Sequence, residues 1–462
     1  MPDQSRWMYR IIHPHGKLRI AITVFVAVIL VIMINALAYQ YLQNYPPKSA
    51  SIFRLWDCFM GIQTMDKGAN TLLLGDSTSL ANLDTGAFAD RLGGETIDLS
   101  VYAGMSMLAD AWLLSAYVQK FGPPDNVVVS RRSHGYGVKH TVELLAAPPL
   151  PWAYWDKLGL APAWEEGELF ELFITKYLVL YSYADVSHER LVKFWDFFDT
   201  TRRPIVPTNT YTQGSKAEKV ILDITDRKTI DFQPFIPSLD ATNAVRFMSD
   251  MAREKQFQLY FVFEPEWDEA INAGLRQPIL DAQVEYLSQF TDPTFVHIIW
   301  NESLTFTQEQ MQNHAHLRPG FDHIKTESDI SRIISIQNQL TVGMTQPIEL
   351  DTVKLNKESY EIGAKPVVEL TLYNPGSASV NGSVSCLAKP SGATDGYWVS
   401  RAPAAAFELE AGGKVNMDLE LTVGKVDEAG IYDLIVFLRQ DVGNLSNEVR
   451  VELPSYINYS DI

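Results

Sequence analysis

Apolar positions along the chain follow two rhythms. Between residues 71 and 300 the rhythm alternates short apolar runs with longer stretches of helical spacing. Thr71–Leu74 (TLLL), Thr96–Leu99 (TIDL), Asn126–Ser130 (NVVVS), Phe257–Phe263 (FQLYFVF) and Thr294–Trp300 (TFVHIIW) read as five buried strands. Between them lie helical patterns. One begins at Met107 and stops at Gly122-Pro123-Pro124; another covers 240–256. Strands separated by helices predict an α/β fold, a parallel sheet with helices on both faces, whose ligands gather at the carboxyl ends of the strands.

From about residue 347 the rhythm becomes strict alternation. KPVVELTLYNPG, NGSVSCLAK, GGKVNMDLELTV and GIYDLIVFLRQ are separated by Asn-Pro-Gly, Asn-Gly and Gly-Gly turns. An all-β sandwich of immunoglobulin-like size is expected over 346–456. Residues 138–235 fit neither rhythm. They are rich in Trp, Tyr and Phe (PWAYWDKLGL, LFELFITKYLVLYSY). They read as a helical insert with its own core, or as an apolar surface for a membrane or an integral membrane partner.

The first 42 residues are different again. Ile20–Ile34 carries no charge, and Asn35–Ala38 extends the run toward the ~20 residues a helix needs to cross a bilayer. Arg6, Arg10, Lys17 and Arg19 precede it with one acid, Asp3. The positive-inside bias places 1–19 in the cytoplasm, 20–42 as a single-pass anchor, and 43–345 and the sandwich outside the cytoplasm. Ala36-Leu37-Ala38 also resembles a signal-peptide cleavage site; either way the bulk of the chain is extracytoplasmic.

Composition narrows the partners. The net charge of −18 argues against nucleic acid. Cys58 and Cys386 are the only cysteines, far apart, and read as two buried thiols. His314, His316 and His323 lack the carboxylates or thiols of a metal site, so no metal and no cofactor is expected.

The chemistry centres on Gly75-Asp76-Ser77, where the first strand ends. Glycine permits a sharp exit, and a serine there can present its hydroxyl as a nucleophile. The alternative is that Asp76 or Ser77 caps the next helix. A serine nucleophile needs a base, and the informative histidine stands in NHAHLRPGFDHI, residues 313–324. Ser133 and His134 follow the third strand and could line the same mouth or be an ordinary loop pair; Glu264, at the end of the fourth, could line it too or be a solvated helix cap.

Gly75-Asp76-Ser77 after a first strand, Gly104 after a second, and HLRPG at His316–Gly320 together resemble the SGNH (GDSL-type) hydrolase superfamily. The resemblance spans residues 68–340 outside the insert. It implies Ser77 as nucleophile, His316 as base, and the Ser77 and Gly104 N–H groups as the oxyanion hole. Two positions depart from the pattern. Asn313 replaces the acid of D-x-x-H, and SRRSHGYG at 130–137 lacks the third block's asparagine. Asn313 could orient the imidazole without stabilising its charge; Asp322 is the nearest acid that could assist.

An anchored SGNH-like domain with an insert and a β-module is similar to accessory proteins of envelope O-acylation, the DltD-like and alginate-acetylation types. That resemblance implies O-acylation, most simply O-acetylation, of a cell-envelope or exopolysaccharide glycan beside a membrane-bound O-acyltransferase (MBOAT) partner, at a bacterial inner membrane with the bulk of the chain in the periplasm or outside the cell. A carbohydrate esterase and a non-catalytic polysaccharide- or partner-binding scaffold remain as alternatives.

Overall fold

A computed structural model describes residues 5–44, 51–102, 105–146, 150–178, 233–300, 304–312, 316–318, 320–341, 346–393, 398–424, 426, 428–442 and 445–460. The N-terminal segment is one helix, α1 (Ser5–Asn44), whose stretch Ile20–Gln40 is long and apolar enough to cross a membrane. Helix α2 (Ser51–Thr64) follows. The chain divides into two units by internal contact: Met1–Trp56 with His140–Lys157 and Ala161–Pro204, and Asp57–Lys139 with Leu158–Leu160 and Ile205–Ile462.

The larger unit opens with β1 (Thr71–Gly75), α3 (Ser77–Asn82), α4 (Thr85–Leu92), β2 (Thr96–Asp98), α5 (Leu108–Phe121) and β3 (Asn126–Ser130). A 3-10 turn covers Ser133–Gly137. The smaller unit then takes α6 (Val142–Ala146), most of α7 (Tyr154–Leu158) and α8 (Glu168–Tyr177). The α/β rhythm resumes with α9 (Leu239–Lys255), β4 (Gln258–Val262), β5 (Glu266–Trp267), α10 (Asp268–Asn272), α11 (Gln277–Ser288), β6 (Val296–Ile299), β7 (Thr305–Phe306) and α12 (Asp322–Thr341).

Five of these strands form one sheet in the order β2-β1-β3-β4-β6, every pair parallel. All five fall where the apolar runs predict. The three central strands β1, β3 and β4 are buried on both faces, which is why they read as continuous runs instead of alternating ones. On one face Leu73, Val128, Tyr260 and Val262 share a core with Phe88 and Leu92 of α4 and Ile330, Ile333 and Ile334 of α12. Register aligns Gly75 with Ser130 and Ser130 with Val262, so three strands end together. In this strand order the chain reverses direction between β1 and β3, the place where open α/β sheets bind ligands.

The C-terminal region is β-rich: β8 (Glu349–Leu355), β9 (Tyr360–Glu361), β10 (Val367–Tyr373), β11 (Val380–Pro390), β12 (Ser400–Leu409), β13 (Lys414–Glu420), β14 (Val423–Gly424), β15 (Gly430–Val442) and β16 (Leu445–Ser460). They form a three-stranded and a six-stranded sheet around one core, with Val368, Leu370 and Leu372 facing Val384, Cys386, Leu434 and Val436. Both cysteines are buried thiols, and burial pushes Cys386 up to about 12.

This β-rich region packs on the α/β sheet's helices within the same unit. Arg91 of α4 is the pin. Its guanidinium meets Glu327 of α12 at 2.5 Å and Glu448 of β16 at 2.5 Å, and lies 3.5 Å from the centre of the Phe437 ring. Asn338 of α12 adds two bonds to the Glu448 backbone, at 2.9 and 2.8 Å.

Candidate active site

Ser77 sits where β1 gives way to α3. Gly75 has φ of +142°, and a Cβ there would stand 1.8 Å from the Ser130 carbonyl oxygen. Only glycine lets β1 run this close to β3 and still turn into the helix. Asp76 is the N-cap of α3: its Oδ1 accepts from the Thr78 N–H at 2.8 Å and from the Thr78 hydroxyl at 2.7 Å. Its Oδ2 accepts from the Arg132 N–H at 3.2 Å, so the fully buried carboxylate also ties β1 to the end of β3. The capping alternative therefore holds for Asp76, while Ser77 occupies the first helical position. A residue there has no intrahelical acceptor for its N–H.

Ser77 Oγ lies 2.9 Å from His316 Nε2, a contact that closes 239 residues of chain. Both residues are buried, each 8 % exposed. The Leu317 N–H donates to Asn82 Oδ1 at 2.8 Å, so α3 holds the serine and also anchors the histidine's own segment. Burial lowers the His316 pKa below the ordinary imidazole value; the Arg132 cation lowers it further, and Asp76 and Glu264 oppose. His316 is thus neutral near pH 7. With Nε2 unprotonated it can accept the Ser77 hydroxyl proton.

Of the other expected residues, Asp76 and Glu264 act on His316 through their charge. Glu264 Oε1 meets Arg276 Nη2 at 2.5 Å, and Glu264 Oε2 meets Arg132 Nε at 3.3 Å. Burial pushes this carboxyl upward, but Arg276 and Arg132 outweigh it and hold it below the usual range. Ser133 donates its hydroxyl to Gln283 Oε1 at 2.8 Å and receives Arg276 Nη2 at 3.2 Å. It is a structural node in this cluster. His134 lies beside it in the 3-10 turn, half-buried, its pKa lowered by burial and by Arg132. Asp322 begins α12 and accepts the Gly320 N–H at 3.1 Å. The charges that act on His316 belong to Arg132, Asp76 and Glu264. Gly104 and Asn313 lie outside the described residues. Among the described residues no cluster of three or more His, Cys, Asp or Glu side chains could hold a metal.

Sequence reasoning missed the cations. Arg131 is fully buried: Nε bonds Asp110, and Nη1 and Nη2 donate to the Met105 and Ser106 carbonyls at 2.6 and 3.3 Å. It therefore fixes the loop after β2. Arg276 joins Glu264 and Glu266 through bonds of 2.5 and 2.8 Å. The available signal was the pair Arg131-Arg132 at the end of an apolar strand, and two acids, Glu264 and Glu266, flanking a proline after another.

No family model matches the chain, and no curated protein matches it. Solved structures with partial likeness to the chain include two of low identity. A Paenibacillus sp. cycloisomaltooligosaccharide glucanotransferase, in complex with cycloisomaltoheptaose, is 14 % identical over 26 % of this chain and 14 % of its own, at a TM-score of 0.18. Spo0M, a sporulation control protein of Bacillus subtilis, is 11 % identical over 24 % of this chain and 50 % of its own, at 0.17. At such TM-scores neither likeness bears on fold or function.

Proposed function

We propose that the chain is an SGNH-like serine acyltransferase that takes part in O-acylation, most simply O-acetylation, of an extracytoplasmic glycan. The observation that carries this reading is the 2.9 Å contact between Ser77 Oγ and His316 Nε2 at the carboxyl edge of a parallel sheet. Ser77 Oγ would attack the donor's acyl carbonyl while His316 Nε2 takes its proton and passes it to the leaving group. The glycan hydroxyl would then attack the Ser77 ester. His316 accepts that hydroxyl's proton and returns it to Ser77 Oγ as the ester breaks. The Ser77 N–H and the Gly104 N–H would stabilise the oxyanion.

The departures from the SGNH pattern fit a modified site. Ser133 or His134 would replace the oxyanion donor that the third block's asparagine supplies, and Arg132, Asp76 and Glu264 give His316 electrostatic neighbours whatever Asn313 contributes. The burial of Ser77 and His316 favours transfer over hydrolysis, because water has restricted access to the ester. The same nucleophile would serve a carbohydrate esterase. In the transferase reading α1 anchors the chain, an MBOAT-type partner supplies acyl groups, and the β-rich region, immunoglobulin-like in size, is free to contact glycan.

The test is made in the producing cell. Replacing the chain with Ser77→Ala should remove acyl esters from one envelope or secreted glycan while the protein remains in the membrane fraction. Unchanged glycan acylation would exclude the transferase role, and increased acylation would favour the esterase.

A further inference from the structure

In the smaller unit, α8 presents two unlike faces. Leu172 is fully buried, and Lys176, also buried, donates Nζ to the Leu150 carbonyl at 2.5 Å. Glu168, one turn before Leu172, lies 3.1 Å from His140 Nε2. The opposite face is apolar and open: Leu169 is 50 % exposed, Phe170 72 % and Phe173 50 %. Leu178 beyond the helix end and Trp152, whose ring lies 6.2 Å from Phe173, continue this patch.

The patch joins the apolar helix directly. Tyr39 of α1 packs its ring 6.0 Å from that of Tyr177, and the Asn35 side-chain amide donates to the Tyr177 carbonyl. An amide inside an apolar span needs a partner, and the last carbonyls of a helix need donors; each supplies the other here. Asn35 stands five residues before Gln40, about 7.5 Å below the end of the span. The C-terminal end of α8 is therefore held close to where Ile20–Gln40 ends. Trp and Tyr side chains prefer that zone, and an amphipathic helix lies there in the membrane plane.

We propose that α8 and Trp152 rest in the lipid interface around α1, with Leu169, Phe170, Phe173 and Leu178 sunk among the lipids. The inference rests on reading Ile20–Gln40 as a membrane anchor. It adds that part of the insert is a second, interfacial attachment made to lipid.

Spin labels on the full chain in phosphatidylcholine–phosphatidylglycerol vesicles test this. The native cysteines are buried, so Phe170→Cys, Val28→Cys and Ile431→Cys each offer one reactive thiol; Leu169→Cys replaces Phe170→Cys if that variant fails to fold. Labels at 170 and 28 should collide more with oxygen than with an aqueous nickel chelate, and the label at 431 should do the reverse. A label at 170 that favours nickel, while 28 favours oxygen, overturns the interfacial helix and leaves the anchor standing. Nickel access at 28 overturns the anchor and this inference with it. A label at 170 shielded from both agents means protein covers the face, which overturns the lipid contact.

Discussion

Gly75, Asp76 and Ser77 carry separate duties that the sequence presents as one motif. The glycine makes room for the Ser130 carbonyl, the aspartate caps and ties, and the serine faces the histidine. Gly75→Ala should cost at least about 2 kcal/mol, since a Cβ meets backbone and the φ of +142° disfavours a side chain. Chemical denaturation checks this; a loss below about 0.5 kcal/mol would show that β1 and β3 can separate freely. His316 makes a second prediction. Its lowered pKa keeps the imidazole neutral on mild acidification, so on the proposed mechanism the acid limb of Ser77 acylation should fall below pH 6.5. Arg132→Met removes one of the two lowering influences and should move that limb upward. A pH–rate profile of acylation reads both shifts, and an unmoved limb in the variant would mean Arg132 does not act on the base.

Among the elements, the parallel strands were legible because burial on both faces leaves short continuous apolar runs. The edge and late strands were harder. β12 reads SRAPAAAFEL, with weak strand propensity and a proline; Pro403 falls where pairing with β11 shifts register between Val384 and Cys386. β16 likewise hides Pro454 near a shift in its pairing with β15, where the Ser455 N–H turns to Asp433 at 2.8 Å. The Ser–His pair was legible because both residues stand in short motifs beside strand ends. The cluster of Arg132, Glu264, Glu266 and Arg276 was not, because its members come from three separate stretches of chain and periodicity says nothing of their meeting. Arg276→Met should leave Glu264 and Glu266 buried without their shared cation and cost roughly 3–5 kcal/mol. Urea unfolding measures it, and a change under 1 kcal/mol would show that water or another cation replaces Arg276.

At the scale of the molecule, the boundary near residue 346 marks a change of architecture within one unit. Arg91 links α4, α12 and β16 in a buried triad, and the sequence gives no sign of it, because an arginine in an amphipathic helix normally faces solvent. Arg91→Ala should destabilise by roughly 3–5 kcal/mol and lower the cooperativity with which the α/β and β-rich regions melt. A calorimetric scan that keeps a single transition at the original temperature would contradict that coupling.

The central claim is that Ser77 is a nucleophile served by His316. The most direct measurement is the intact mass of the detergent-solubilised full chain after exposure to a chromogenic acetyl ester, with Ser77→Ala and His316→Ala alongside. The account predicts one added acetyl group, mapped to Ser77, absent from the first variant and slowed at least about 10³-fold in the second. Its persistence in water would mark a transferase, its rapid loss a hydrolase. An acetyl group that maps elsewhere, or forms equally in Ser77→Ala, would contradict the account.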